Sequence, residues 1–432
     1  MGTITLILLL ALEAFLLGWS IVTKNNHREE KGIVSIGLLV LFALLVFTGV
    51  YEWSFRYVAL LAVLVIQALI GAVTIIKKRE KEYKLGKSIA RFVGRSMLFT
   101  FALFLAILCP QYQPLETTGA YEVATAKHTW VDNSRLDAYS DSGENRALTV
   151  EFWYPKNADR KYPLVIFSHG AFGFGCSNYS TFVELASNGY VVASIGHTNQ
   201  AFYTMDENGK LTTADPEFIK TATEINAMHD TMHEEEIYNT TKGWMALRTA
   251  DESFVIDQIL SACEAEQNDP LFSAINTDKI GLMGHSLGGA SSAQIGRERS
   301  DIDAVIVLDG TMLGEEIAFE NGSVVMNNTP YPIPLLNIYA EDHYSNAKEL
   351  VVDAYNNFNA TKNAVCAYET VFQNAGHLNF TDLPLFSPTL AKMLGVGTID
   401  ARYCVETTNQ VVLSFFDSYL KNMGEPNIQK EY

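Results

Sequence analysis

Residues 278–293 read DKIGLMGHSLGGASSA: an apolar run, then a serine set between Gly284 and Gly288, then a stretch of small residues. The run has the content of a buried strand, and the small residues suit a helix that packs closely against its neighbours. A chain turning from strand to helix within one residue crowds its own backbone. Glycines on both sides remove the Cβ atoms that would collide. GHSLG, Gly284–Gly288, matches the G-x-S-x-G pattern in which such a turn holds a serine hydroxyl exposed above a sheet. Ser286 is therefore the candidate nucleophile.

A serine hydroxyl is a poor nucleophile at neutral pH, so a histidine must take its proton and an acid must orient that histidine. The turn motif sets the chain order serine, acid, histidine, each at a strand end. Two histidines follow Ser286, His343 and His377. His377, on the glycine-containing loop QNAGHLNF after the last strand candidate, is the better placed base. Asp309 in VIVLDG and Asp342 in NIYAEDH both satisfy the order for the acid. An oxyanion needs two backbone N–H donors, one just after the nucleophile and one from a loop following an earlier strand. Leu287 supplies the first; Ala171, or else Phe172, in FSHGAFGFG supplies the second. That glycine-rich loop lacks the GxxxxGK[ST] lysine pattern and opens no dinucleotide fingerprint, so a phosphate-cradling role is weak.

Around these residues, strand candidates LTVEFWYP, YPLVIFSHG, YVVASIGH, KIGLMGHS, DAVIVLDG, PIPLLNIYAED and AVCAYETVFQNAGH alternate with amphipathic stretches. The helix candidates are Tyr179–Ser187, Thr249–Glu266, Leu287–Arg299, Ser345–Asn357 and Ile399–Asn422. Apolar strands separated by helices predict an α/β class: a mostly parallel sheet covered on both faces, the α/β-hydrolase fold. Residues 111 to about 141 read as a linker and edge segment. Residues 201–247, rich in Met, Thr, His and Glu, interrupt the alternation and read as a lid-like insertion.

The first 110 residues differ in kind. Four apolar runs, about 2–22, 33–50, 58–76 and 92–109, each have the roughly 20 residues a helix needs to cross about 30 Å of hydrocarbon. The first run lacks a basic n-region, so it reads as a span rather than a cleaved signal. Domains are thus expected at 1–110, an all-α transmembrane region, and 111–432, the hydrolase. Residues 1–110 hold 12 Lys+Arg against 6 Asp+Glu, and the remainder 19 against 43. The first and third loops are basic, with three and seven Lys+Arg against one in the second. The positive-inside rule puts those two in the cytoplasm and leaves the N-terminus and hydrolase domain outside a multi-pass cell membrane protein. The basic run 77–91 reads as a topology determinant resting against anionic headgroups. The acidic exterior disfavours nucleic acid as a partner. There a disulfide among Cys176, Cys263, Cys366 and Cys404 could persist, its pairing open.

Other residues are weighed and set aside. His229 and His233 in MHDTMHEEE stand at i, i+4 without a third ligand, and a solvated acidic helix is the plainer reading. His169 and His197 follow strands and are expected at the catalytic mouth or in an ordinary loop role. His285 is the variable position of the turn motif.

The ordered set YEVATAKHTWVDNSR…RALTVEFWYP, PLVIFSHGAFGF, LASNGYVVASIGHTN, GHSLGGA, AVIVLDG and AGHLNFTD resembles the plasma-type platelet-activating factor acetylhydrolases, lipoprotein-associated phospholipases, and their bacterial relatives. The likeness runs from about Gly119 to the C-terminus and leaves out the four spans. It implies Ser286 as nucleophile, Asp309 rather than Asp342 as acid, His377 as base, and Ala171 and Leu287 at the oxyanion amides. It further implies a serine esterase without metal or cofactor, and together with the four spans it points to a membrane-anchored enzyme acting on phospholipids with short or oxidised acyl chains. A general carboxylesterase on small soluble or polyester-like esters is the alternative. A non-catalytic membrane receptor or scaffold on the same fold is the rival of another class, disfavoured by the presence of serine, acid and histidine together.

Overall fold

The computed structural model describes residues 1–78, 82–140, 143–226, 233–350 and 355–432, and the chain forms two compact units. One comprises Met1–Gln113 with Leu383–Leu394; the other comprises Pro114–Asp382 with Gly395–Tyr432.

In the first unit four helices, α1 (Gly2–Thr23), α2 (Arg28–Phe47), α3 (Val58–Lys77) and α4 (Leu85–Leu108), are each long and apolar enough to cross a membrane. The helices α2 and α4 begin several residues before their apolar runs, because polar first turns extend them. Close approach relies on small residues: a Cβ on Gly71 would stand 2.7 Å from the Gly32 carbonyl oxygen. Large apolar side chains such as Phe15 and Phe101 point outward, as they do toward lipid. Leu383–Leu394 belongs to this unit although the sequence reading gave it to the hydrolase region; the Ser387 hydroxyl donates to the Leu108 carbonyl.

The second unit is built on eight strands: β1 (Val123–Leu136), β2 (Asn145–Pro155), β3 (Tyr162–Ser168), β4 (Val191–Gly196), β7 (Ile275–His285), β8 (Ala304–Leu308), β11 (Leu335–Ala340) and β12 (Ala367–Phe372). Between these, β5 (Tyr203–Met205) pairs with β6 (Leu211–Thr213), and β9 (Glu316–Glu320) with β10 (Ser323–Met326). The sheet order is β1-β2-β4-β3-β7-β8-β11-β12. The first two pairings, β1 with β2 and β2 with β4, are antiparallel and the rest are parallel. Along β3 the alternate residues Leu164 and Ile166 enter one core while Val165 and Phe167 enter the other. Both faces are therefore dry, which is why the strands read as continuous apolar runs. Helices α7 (Glu234–Ala265) and α8 (Leu287–Glu298) cover the first face; α5 (Tyr179–Ser187) and the helix Ala401–Lys421 cover the second.

Three expectations change. The presumed linker holds a 14-residue edge strand, β1, which pairs with β2 and lays Ala126 and Trp130 on the core. The expected helix 345–357 is instead α9 (Glu341–Leu350) and α10 (Asn356–Lys362). The insertion contains the β5–β6 hairpin, α6 (Pro216–Asn226) and the first turns of a 32-residue α7.

Under α8, the fully buried Glu252 of α7 accepts a hydrogen bond from the Ser292 hydroxyl at 2.7 Å. Burial, only partly offset by that bond, pushes its carboxyl up to about 7. The folded state thus keeps a proton that the unfolded chain releases near 4.5. Stability from this group is complete below that value and lost as the pH rises to about 7. The loss is on the order of 3 kcal/mol at most, so thermal midpoints between pH 5 and 8 should fall less steeply in Glu252→Gln than in the parent. Gly288→Ala is expected to cost about 3 kcal/mol or more by overpacking, since its Cβ would stand 2.0 Å from the Ser168 carbonyl oxygen; a lowered melting midpoint in detergent checks it.

Candidate active site

Strand β7 ends at His285, and Ser286 follows with φ 55° and ψ −125° before α8 begins. That conformation strains a serine by about 1–3 kcal/mol. It is held by the Ser286 N–H donating to the Leu308 carbonyl at 2.9 Å, and by glycines that let the turn close. A Cβ on Gly284 would lie 2.2 Å from the Gly288 carbonyl carbon, and one on Gly310 2.3 Å from the Ser286 carbonyl oxygen.

Asp309 directly follows β8, also at positive φ (49°), with its N–H donating to the Ile338 carbonyl at 2.7 Å. Its carboxylate is buried. Oδ1 accepts from the Ala340 N–H at 2.7 Å, and Oδ2 lies 2.7 Å from His377 Nδ1 and 2.8 Å from His343 Nδ1. Burial alone would raise this carboxyl, but the two imidazoles hold it well below the usual carboxylate range. The same carboxylate raises His343 above its ordinary value. Both late histidines named from the sequence thus reach Asp309. Asp342 is exposed and accepts from the His343 backbone N–H at 2.8 Å. Among the described residues neither the Ser286 hydroxyl nor His377 Nε2 has a hydrogen-bond partner, and such contacts are often loose before substrate binds.

The variable position of the turn motif is more than a spacer. His285 is buried, its ring centroid lies 4.5 Å from that of His377, and its Nε2 is 3.0 Å from the His377 carbonyl oxygen. Burial, with His377 beside it, lowers His285 to about 3. The neutral ring therefore donates from Nε2 and fixes the backbone of His377.

His169 and His197 do not line a mouth, since both are fully buried behind the loop His169–Gly173. Arg248 Nη1 donates to the His169 carbonyl at 2.7 Å, and His169 Nδ1 to the Gly170 carbonyl at 2.7 Å. His197 Nδ1 donates to Asp251 at 3.0 Å and its Nε2 accepts from the Ser168 hydroxyl at 2.8 Å. Arg146 clamps both oxygens of Asp251, at 2.9 and 2.6 Å. Burial lowers His197 to about 3 and Arg248 to about 9, while Asp251, despite burial, is held low by Arg146 and His197. Sequence reasoning missed this set; two arginines and one aspartate spread over 105 positions carry no local signature. Two carbonyls of the loop are thus tied back, and among the described residues neither the Ala171 nor the Leu287 N–H has a hydrogen-bond partner.

The side chains of those two residues enter an apolar cluster with Ala290, Leu313, and Phe218, Trp244 and Met245 of the insertion. Phe218 and Trp244 meet edge to face at 5.1 Å and line a cleft of about 600 Å³. Among the described residues the group of His, Cys, Asp and Glu donors close enough for a metal is Asp309, His343 and His377, within 4.8 Å of one another. Their 2.7 and 2.8 Å N···O separations are those of hydrogen bonds. His229 lies outside the described residues, so the i, i+4 pair with His233 has no structural account. All five cysteines are free thiols, so no disulfide joins Cys176, Cys263, Cys366 or Cys404.

A family model described as platelet-activating factor acetylhydrolase, isoform II, matches residues 138–429. Platelet-activating factor acetylhydrolases of Canis lupus familiaris and Cavia porcellus are each 25% identical, over 280 and 287 residues, covering 62% and 63% of this chain. The chain spans about six-tenths of the length of these relatives, 59% and 62%. A ferulic acid esterase from Streptomyces cinnamoneus superposes with a TM-score of 0.54 at 21% identity, covering 72% of this chain and 94% of its own, which shows the fold. With its elbow serine, its parallel sheet and a family match running through both, the chain belongs to the platelet-activating factor acetylhydrolase, isoform II, family on an α/β-hydrolase fold.

Proposed function

We propose that this protein is a membrane-anchored serine ester hydrolase acting through an acyl-enzyme. The observation that carries the reading is the 2.7 Å bond from His377 Nδ1 to buried Asp309, which joins the turn after the edge strand β12 to the end of β8, the neighbour of the strand that carries Ser286. Nδ1–H on the carboxylate leaves Nε2 as the proton acceptor. His377 takes the Ser286 proton as the hydroxyl attacks the ester carbonyl, and Asp309, kept ionised, stabilises the imidazolium. The N–H groups of Leu287 and Ala171 receive the oxyanion. The imidazolium returns its proton to the leaving alcohol, and water, activated by the same ring, releases the acid.

Substrate preference follows from what borders the oxyanion amides. An acyl chain whose carbonyl sits there runs against Phe218, Trp244 and Met245, bulky side chains that favour short acyl groups. Family membership and four candidate spans favour phospholipids with short or oxidised chains over small soluble esters. Loop charge supports an exterior N-terminus and hydrolase domain.

Ser286→Ala should lower turnover by on the order of 10⁶ if serine, histidine and acid work as a unit, and it should abolish labelling by a fluorophosphonate probe. Wild-type turnover in the alanine variant would overturn the mechanism, and absence of labelling on folded parent protein would favour a non-catalytic receptor. Trp244→Ala should shift the chain-length optimum on p-nitrophenyl esters and on phosphatidylcholines toward longer acyl groups by about 10-fold in relative kcat/KM, in line with the worth of one or two methylenes in an apolar pocket.

A further inference from the structure

The four-helix unit holds charged groups that anchoring alone does not require. Three helices turn polar residues inward at helical spacing, Ser88, Arg91 and Arg95 on α4, Arg28, Lys31 and Ser35 on α2, and Gln67 and Thr74 on α3, and α1 adds Glu13. Together they line a cleft of about 490 Å³ within the bundle. Ionisable side chains between transmembrane helices are costly and mark sites far more often than they serve as filler.

The electrostatics are one-sided. Among the described residues four cations, Arg28, Lys31, Arg91 and Arg95, share the cleft with one carboxylate, Glu13. Arg95 accounts for that carboxylate, with Nη2 2.9 Å from Glu13 Oε1 and 2.6 Å from Gln67 Oε1. Lys31 and Arg91 hydrogen-bond instead to neutral oxygens, Ser20 Oγ at 2.6 Å and Asn26 Oδ1 at 3.4 Å. Among the described residues Arg95 Nε and Gln67 Nε2 are buried with no hydrogen-bond partner. Arg95 stands ten residues into α4, about 15 Å along its axis, so the cleft reaches from the basic-loop end well into the bundle. Beside the charges, Leu16, Leu17, Ile70 and Leu98 supply an apolar wall.

We propose that this cleft binds a phosphate group, carried by an anionic phospholipid whose chains lie along that wall, at the end of the bundle that loop charge assigns to the cytoplasm. A phosphate oxygen array matches the ammonium of Lys31 and the guanidinium of Arg91, whose hydrogen bonds go to the neutral oxygens of Ser20 and Asn26, and basic pockets between membrane helices on that side take anionic headgroups. The Glu13–Arg95 pair closes the deep end, holding one guanidinium in place while leaving the outer cations to the ligand. This site is separate from the ester-hydrolysing centre and stands or falls independently of it.

The test uses full-length protein reconstituted in nanodiscs of equal phosphatidylcholine and phosphatidylglycerol, with lipid retained on release read by native mass spectrometry. Phosphatidylglycerol should be enriched on the parent, and Lys31→Gln and Arg91→Gln should each reduce that enrichment roughly fivefold. Arg91→Lys should restore most of it. Lys87→Gln, exposed and outside the cleft, should leave it intact. In phosphatidylcholine-only discs, stabilisation by inorganic phosphate that Arg91→Gln abolishes would assign the same phosphate chemistry to a soluble ligand. Equal retention of the two lipids together with no effect of phosphate overturns the proposal.

Discussion

The contact on which the hydrolase unit depends is the approach of the first turn of α8 to the ends of β3 and β8. With Gly288 against the Ser168 carbonyl and Gly310 against the Ser286 carbonyl, no side chain separates the turn from either neighbouring strand. The approach forces Ser286 into left-handed backbone, and the bond from its N–H to the Leu308 carbonyl ties that conformation to β8. Asp309 is the residue after Leu308, itself at positive φ. The Ser286 turn and Asp309 are therefore placed by one piece of backbone packing, and neither could shift without the other.

Behind the glycine-rich loop lies a dense set of buried charges. Arg146, Arg248, Asp251 and Glu252 are all fully buried, a placement whose desolvation cost commonly exceeds the Coulombic gain. Apolar side chains would fill the same space at lower cost. What apolar residues lack is a directed donor for the His169 carbonyl, the one Arg248 supplies at 2.7 Å, and a partner such as Asp251 that orients His197 so that its Nε2 accepts from the Ser168 hydroxyl at 2.8 Å. The charges thus hold the loop in one orientation, and stability is given up to do so. This is the arrangement expected where backbone amides must be preorganised rather than left to reorient during reaction.

Legibility in the sequence followed the range of the interactions. The turn at Gly284–Gly288, the buried parallel strands and the four apolar helices are written in contiguous residues, and the family match and sheet topology bear out the fold class. The strand β1 was hidden because an edge strand, partly exposed, alternates weakly and carries polar residues such as Asp132 and Asn133. The two candidate acids illustrate a different limit. Order along the chain admits Asp309 and Asp342 equally, and what separates them is one residue of register: Asp309 directly follows β8, whereas Asp342 sits inside the first turn of α9 and accepts from the backbone beside it. The buried set behind the loop was illegible for the same reason in stronger form, since its members come from β2, the loop after β4 and α7, and meet only once the sheet has formed.

The same residue of register brings a second histidine to the site. His343 comes from the first turn of α9, and its Nδ1 shares Asp309 Oδ2 with His377. Two N–H donors on one oxygen divide its negative charge, so each imidazole receives less support than it would alone. The buried carboxylate tolerates this because Ala340 N–H already satisfies its other oxygen, leaving Oδ2 the only atom for which the rings compete. His343 is half-exposed and can turn to solvent at small cost. The His377 backbone is pinned through its carbonyl by His285, so its ring has the shorter path back to the carboxylate. Competition between a mobile ring and an anchored one resolves toward the anchored one whenever positive charge develops on it. That asymmetry, set by where each histidine is attached, favours His377 rather than His343 as the base of the proposed reaction.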